Sequence, residues 1–417
     1  MIRPIPLLSL LVAAALAGCA TQTPAPVAPA PTARPAEPVT PEVLFPEPAP
    51  EPVPEPATPT PPVTAPAGTP HPTGMPAFPA YPNEAAARAA VQRLLPGNVR
   101  DRAGWTNDIV NAFSALHLSY RADNFCAVMA IIEQESLWQA DRAIPGLNQM
   151  VWKEIETRRQ KYLIPKLVLD AALLKHSPNG RSYKDRIDSL RTEREMNDLF
   201  GDMIDELPYG KTLLAGKNPI RTGGPMQVSV AFAEQQAKYR PYPYPKKGTI
   251  RDEVFTRRGG IYFGTSILLD YPAPYSQMRY RFADFNAGRY ASRNAAFQQA
   301  VARLSGRRLS ADGDILSYDG GSAGASDTQA AVLSLAGRLG LSAGEIQRDL
   351  KLEKVGPFAG TPTYQRLFAL ADRQYGHQPR ETLPQIQLTG PKIQRKITTA
   401  WFADRVEGRY RSCLARR

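Results

Sequence analysis

Glu133 and Glu135 lie in the segment Ile131-Ile-Glu-Gln-Glu-Ser-Leu137, at the end of an apolar run that begins at Phe125. At helical spacing Glu135 stands one turn beyond Ile131 and Ile132 and two beyond Val128, so its side chain lies over an apolar stripe. Lost solvation there disfavours the charged carboxylate and raises its pKa, as a general acid working near neutral pH requires. Glu133 is turned about 200° away round the helix. A second segment, Gly223-Gly-Pro-Met-Gln-Val228, has the composition of a tight turn that lets the backbone approach a ligand closely. Gln227 in it offers both donor and acceptor, which suits a sugar hydroxyl or acetamido group. A third segment, Ala283-Asp-Phe-Asn-Ala-Gly-Arg289, puts Asn286 at a helix end with Gly288 as a left-handed cap. Taken singly, the three are better explained as a solvated helix end, a turn and a cap.

Helices must position these segments. Apolar spacing predicts them over 83–95, 105–118 and from a cap at Asp123 or Asn124 to Gln134 or beyond, the last apolar almost all round and so buried. Further helices are expected over 147–175 with a break at Pro165, then 183–207, 252–270, 275–285 and 291–304. A Gly/Asp/Ser loop over 310–326 leads to helices over 326–339, 342–352, 362–375 and 393–415. The best strand signal is Met226–Val230, and the expected fold class is mainly α.

Composition limits the function classes. Of 41 Pro, 22 fall between Thr21 and Pro82, a stretch that favours polyproline II over a packed core. Folding is left to residues 83–417, ample for a sizeable core. Three Cys and four His exclude a disulfide-dense scaffold and argue against a multi-zinc protein; no metal or other cofactor is expected. Arg3 followed by the short apolar run 6–17 reads as a signal peptide over residues 1–18, not a membrane span. Its ending, Leu16-Ala-Gly-Cys19, resembles the bacterial lipoprotein box. That resemblance implies cleavage before Cys19, acylation of Cys19, and an outer-membrane lipid anchor facing the periplasm. Residues 19–82 then form a disordered tether of at most about 190 Å, at about 3.1 Å per residue. The tether holds one Arg against five Glu, and the leader removes Arg3, so a chain of net charge +12 leaves a body of about +15. A basic body in that compartment suits an acidic partner, such as peptidoglycan stem peptides or lipopolysaccharide, rather than nucleic acid.

The segments ending Glu135-Ser136, Gly224-Pro-Met-Gln227, Gly264-Thr-Ser-Ile-Leu268 and Asp284-Phe-Asn-Ala-Gly288, in this order, resemble those of the lytic transglycosylases of the lysozyme superfamily. The family pattern is an apolar helix ending in Glu-Ser, a Gly-Leu-Met-Gln turn, a Gly-x-x-Tyr-Leu helix and Ala-Tyr-Asn-Ala-Gly. The resemblance spans about 124–304. It implies a lysozyme-like helical domain with a long helical insertion at about 145–221 and a helical extension over 305–417 that matches nothing in the pattern. It also implies that Glu135 is the single catalytic acid/base, and that Ser136, Met226, Gln227, Phe285 and Asn286 contact peptidoglycan glycan strands. The bond cut would join MurNAc to GlcNAc. The muramic acetamido group would assist and the sugar's own C6 hydroxyl attack, leaving a 1,6-anhydro end, so no second carboxylate is needed. Were one present, Asp141 is nearest in sequence. Three departures stand out: Phe285 replaces the usual Tyr, Pro225 the usual Leu, and the spacing between the first two segments is several times the family's, which the insertion takes up. As a whole the chain also resembles a bacterial lipoprotein family of no established function. A different class of function, a catalytically inactive peptidoglycan-binding or structural envelope lipoprotein, is compatible with the same segments.

With Cys19 consumed by acylation, Cys126 and Cys413 remain, and an oxidising periplasm favours their pairing. The final helix offers an apolar stripe of Trp401, Phe402, Val406 and Tyr410 that would dock Cys413 near the buried helix carrying Cys126. The alternative is two free thiols.

Overall fold

A computed structural model describes residues 78–206, 218–318, 324–388 and 397–417. The expected signal peptide, the expected acylation site Cys19 and the expected tether through residue 77 lie outside the described residues. The described chain is mainly helical, with only two-residue strands. It divides into two compact units, one over 141–223 and the other formed by the rest of the described residues.

In the larger unit, α1 (Glu84–Leu94), α2 (Arg102–Ala115) and α3 (Ala122–Ser136) come first. Asn83 caps α1 by accepting the Ala86 N–H at 2.9 Å. The expected cap of α3 is displaced: the helix starts after Arg121, because Asp123 lies buried in its first turn, ion-paired with Arg121 at 3.1 Å. From Phe125 to Ile132 no residue of α3 is more than 1% exposed.

After the 141–223 unit come the strand Val228–Ser229 and α8 (Val230–Tyr239), a helix where the sequence suggested only strand. Ser229 ends the strand and caps α8, accepting from Phe232 N–H at 3.3 Å. The helix expected over 252–270 is two, α9 (Ile250–Val254) and α10 (Arg257–Leu269), because the Thr256 hydroxyl starts a new helix at Gly259 N–H. Then follow α11 (Met278–Ala287) and α12 (Ala291–Ser305). The residues after α12 contribute α13 (Asp327–Ser334), α14 (Ala336–Leu339), α15 (Ala343–Leu350) and α16 (Pro362–Tyr375), which close a second core on Phe297, Val301 and Leu304 of α12. Gln387–Leu388 pairs antiparallel with Ile397–Thr398, and Thr398 caps the last helix, α17 (Thr399–Leu414). In chain order the helices of the 141–223 unit fall between α3 and α8. They are Leu147–Lys161, Lys166–Leu173, Tyr183–Asp188 and Glu193–Asp205. Its expected 183–207 helix is interrupted by a capping box of Thr192 and Glu195.

Helix α17 packs along α3 and against α11. Phe402, Val406 and Tyr410 are buried, whereas Trp401 faces outward. Cys126 and Cys413 form a disulfide with a Cα–Cα distance of 5.5 Å, and Cys413 Sγ also lies 3.7 Å from Met129 Sδ.

The bridge spans 287 residues, a separation at which a disulfide contributes about 3–5 kcal/mol in the chain-entropy account. Cys413→Ser should therefore lower the guanidinium unfolding midpoint in proportion, and reductant should shift the wild-type protein but not the variant. Two titratable thiols in protein purified from an oxidising compartment would contradict the pairing.

Candidate active site

The first segment ends in an unusual backbone. After Ser136, both Leu137 (φ 51°) and Trp138 (φ 63°) adopt left-handed conformations without being glycine, a cost of order 1–3 kcal/mol each that surrounding packing must offset. Trp138 is held edge-on by buried Trp105, ring centroids 5.2 Å apart. The Arg257 guanidinium lies 5.3 Å over the Trp105 ring and is fixed by Asp101 at 2.6 Å and Asp108 at 2.5 Å. Glu133 and Glu135 are both half-buried. Arg409 of α17 has its Nε 3.9 Å from a Glu133 carboxylate oxygen and feels the charge of Glu135 as well. Burial, the larger effect, pulls the Arg409 pKa below its ordinary value, and the two glutamates oppose that pull. Apolar surroundings and a neighbouring cation act on a carboxylate in opposite senses, and the cation was invisible in the local sequence.

The second segment is a turn seated on α10. Gly224 has φ 71°, and a Cβ there would lie 2.1 Å from the Val254 carbonyl oxygen, so only glycine fits. One helical turn apart on α10, Gly260 and Gly264 remove the side chains that would block Pro225 and Met226: added Cβ atoms would lie 2.5 Å from Pro225 Cδ and 2.4 Å from Met226 Sδ. The turn closes with Gln227 N–H donating to Gly224 C=O at 3.1 Å, and Gln227 itself is left-handed at φ 50° and half-buried.

The third segment turns on Asp284, 1% exposed. Its carboxylate accepts from the Tyr271 hydroxyl (3.0 Å), the Tyr275 hydroxyl (2.6 Å), Tyr290 N–H (2.9 Å) and Ser292 N–H (2.7 Å). Burial raises the Asp284 pKa, and those hydrogen bonds counter it. The loop so held contains Gly288 (φ 102°) and a further left-handed residue, Tyr290 (φ 67°). Gly288 ends α11 as expected of a glycine, but at ψ 146° it is outside the left-handed helical region. Phe285 and Asn286 are half-buried at the loop's start.

Helix α10 touches α3, the Val228–Ser229 strand and α11, so all three segments rest on elements that share one floor. Several expected contacts need correction. Ser136 is 2% exposed and its hydroxyl donates to the Ile132 carbonyl at 2.8 Å, so it braces the helix end instead of meeting substrate. Met226 is 0% exposed and packs the turn onto Gly264. Asn286 accepts from the Thr399 hydroxyl at 3.0 Å, so its Oδ1 is already engaged by α17. Asp141 accepts from the Thr192 hydroxyl at 3.1 Å and lies 3.8 Å from Arg194 Nε, partners within the 141–223 unit. Sequence reasoning missed Asp284 and Arg409. The first had a signal, an acid where the family pattern has Ala; the second had none, because helix packing alone brings it near. Among the described residues no group of three His, Cys, Asp or Glu could hold a metal ion.

Two substitutions test this support. Gly264→Ala should destabilise the protein by about 1–3 kcal/mol, because Met226 is already packed without a gap. Asp284→Ala should cost about 3 kcal/mol or more, since it orphans several buried donors at once. Denaturant unfolding monitored by circular dichroism measures both, and a change below about 0.5 kcal/mol in either would show that the packing or the network is not formed.

Residues 98–416 match a family described as "Protein of unknown function (DUF1615)". The chain is also 48% identical over 327 residues to the "Uncharacterized protein YaiW" of Escherichia coli (strain K12), covering 78% of this chain and 89% of that protein. No solved structure matches it. The match over most of the chain makes this protein a member of the DUF1615 family.

Proposed function

We propose that this protein is a peptidoglycan lytic transglycosylase with a lysozyme-like core, held at the outer membrane by acylated Cys19 and its Pro-rich tether. The supporting observation is the convergence on α10 of three segments that the chain scatters widely, with strained left-handed backbone at a non-glycine residue in or directly after each: Leu137 and Trp138, Gln227, and Tyr290, four of the seven such residues described. Such strain collects where a fold must hold groups for chemistry. In the proposed reaction Glu135 protonates the bridging oxygen between MurNAc and GlcNAc, and that bond breaks. The muramic acetamido oxygen stabilises the sugar C1 as it does so. The C6 hydroxyl then attacks C1 and returns its proton to Glu135, so the acid is regenerated and no water is consumed. Gln227 orients the glycan through its amide. Phe285 offers only its ring face, without a hydroxyl.

One observation favours the alternative of an inactive peptidoglycan-binding module. Helix α17 engages Asn286 through Thr399 and brings Arg409, paired with Glu133, within reach of the charge of Glu135, and an active enzyme would turn Asn286 and Glu135 toward substrate.

Incubation of the purified protein with sacculi, followed by mass spectrometry of released muropeptides, separates the two. The active enzyme should release 1,6-anhydro products. Glu135→Gln should reduce that release at least about 100-fold, the scale of a lost general acid, with sacculus binding intact. Glu133→Gln should stay within a few-fold of wild type. Sacculus binding without any product would establish the inactive module, and unchanged turnover in Glu135→Gln would remove Glu135 from the mechanism.

A further inference from the structure

The 141–223 unit carries an apolar face with no counterpart elsewhere among the described residues. Helix Lys166–Leu173 already buries Leu169 (4% exposed) and Leu173 (1%) in its own unit. Its opposite side is apolar too: Leu167 is 83% exposed and Leu174, just past the helix, 60%. Ala171, also exposed, falls between them at spacings of four and three, so the three share one face. The turn that leads into the helix adds Leu163 (87%) and Tyr162 (47%). Four of the large hydrophobic side chains exposed in the described chain thus fall within thirteen residues. Isolated exposed leucines need no explanation, but a concentrated patch does.

Charge indicates the occupant. Lys161, Lys166 and Lys175 flank the patch with only Asp170 among them, a net charge of +2 over residues 161–175 that Glu206, paired with Lys175, lowers to +1. Lys166 pairs with Asp170 at 2.6 Å and Lys175 with Glu206 at 2.6 Å, but the lysine side chains remain 70% and 42% exposed. Exposed apolar side chains flanked by long flexible cations are the pattern of a segment that lies in a lipid–water interface, with leucines in the acyl boundary and ammonium groups at anionic headgroups. A partner offering only acidic groups would meet the lysines but leave the leucines in water. We propose that residues 162–174 form a membrane-surface contact selective for anionic lipid. It is independent of acylation at Cys19 and of the activity proposed above.

The test uses the full chain with Cys19→Ser, which removes the acyl anchor, and vesicles of phosphatidylethanolamine and phosphatidylglycerol or of phosphatidylcholine alone. The protein should sediment with the anionic vesicles, at least tenfold more strongly than with the neutral ones, and less so as salt rises. Combined Leu163→Ser, Leu167→Ser and Leu174→Ser should lower the partition at least tenfold with an unchanged circular dichroism spectrum, since these side chains are exposed. The indole introduced by Leu167→Trp should be quenched by brominated acyl chains. The proposal is overturned by undiminished vesicle binding of the triple variant, by an unquenched indole, or by no vesicle binding at all. It is equally overturned if the triple substitution leaves vesicle binding unchanged but halves the mass at sedimentation equilibrium, since the face would then join two copies of the chain.

Discussion

A helix that is apolar on every side has to be covered on every side, and α3 imposes that demand on the larger unit. Each large apolar side chain it buries contributes about 1.5–3 kcal/mol relative to exposure, so the elements that cover it gain more from closing round it than from any local preference. Helix α1 and α10 pack on it, and Phe113 of α2 meets Phe125 with ring centroids 4.6 Å apart. The remaining side is taken by α17, from the far end of the chain, and the Cys126–Cys413 bridge fastens it there. Apart from Asn124 in the first turn, only Glu133, Gln134 and Glu135 of α3 are half-exposed. The same demand that buries the helix therefore delivers its carboxylates to the surface.

Buried polar groups then organise the parts that apolar packing leaves loose. Asp284 holds the α11–α12 connection, and close by Arg281, 2% exposed, donates to the Leu268, Tyr271 and Ala273 carbonyls. After α12, Glu353, 0% exposed, accepts from Ile315 N–H, Leu316 N–H and the Tyr318 hydroxyl. Arg293, buried and with its pKa drawn down by that burial, donates to Val355 C=O at 3.0 Å and lies 4.2 Å over the Tyr290 ring. A charge taken out of water is tolerated only when its hydrogen-bonding capacity is met. These networks therefore tie the segment over 313–355 to α12 in one register, since a shifted register would strand the charges.

Steric exclusion positions the turn. Glycines at 224, 260 and 264 let backbone and α10 come closer than any side chain would allow, and the cost is borne by Gln227, left-handed without being glycine. A flexible loop could present Gln227 more cheaply but not repeatably in one place. The same logic applies to Trp138, whose strained backbone is stabilised by the ring of Trp105.

Much of this was legible in local sequence, because helix formation and burial depend on neighbours three and four residues away. The buried character of α3, the break at Pro165, the tight turn at Gly224 and the helix end at Asn286 all follow from spacing alone. Boundaries failed where a side chain chose a partner that competes with the pattern: Asp123 took Arg121 instead of capping, and Thr256 and Thr192 each started a new helix inside an apparently continuous one. Helix α8 was lost because Val228 and Val230 look like strand until Ser229 is seen to cap. What local sequence determined was which residue types stand at the end of α3, in the turn and at the end of α11. Only the tertiary structure decided that Ser136 and Met226 lie beneath the surface, that Thr399 holds Asn286, and that Arg409 accompanies Glu133 and Glu135. Local pattern is set by side chains a few residues apart. Burial, ion pairing and access are set by which surfaces meet when the whole core closes, and the helix that meets α3 comes from the other end of the chain.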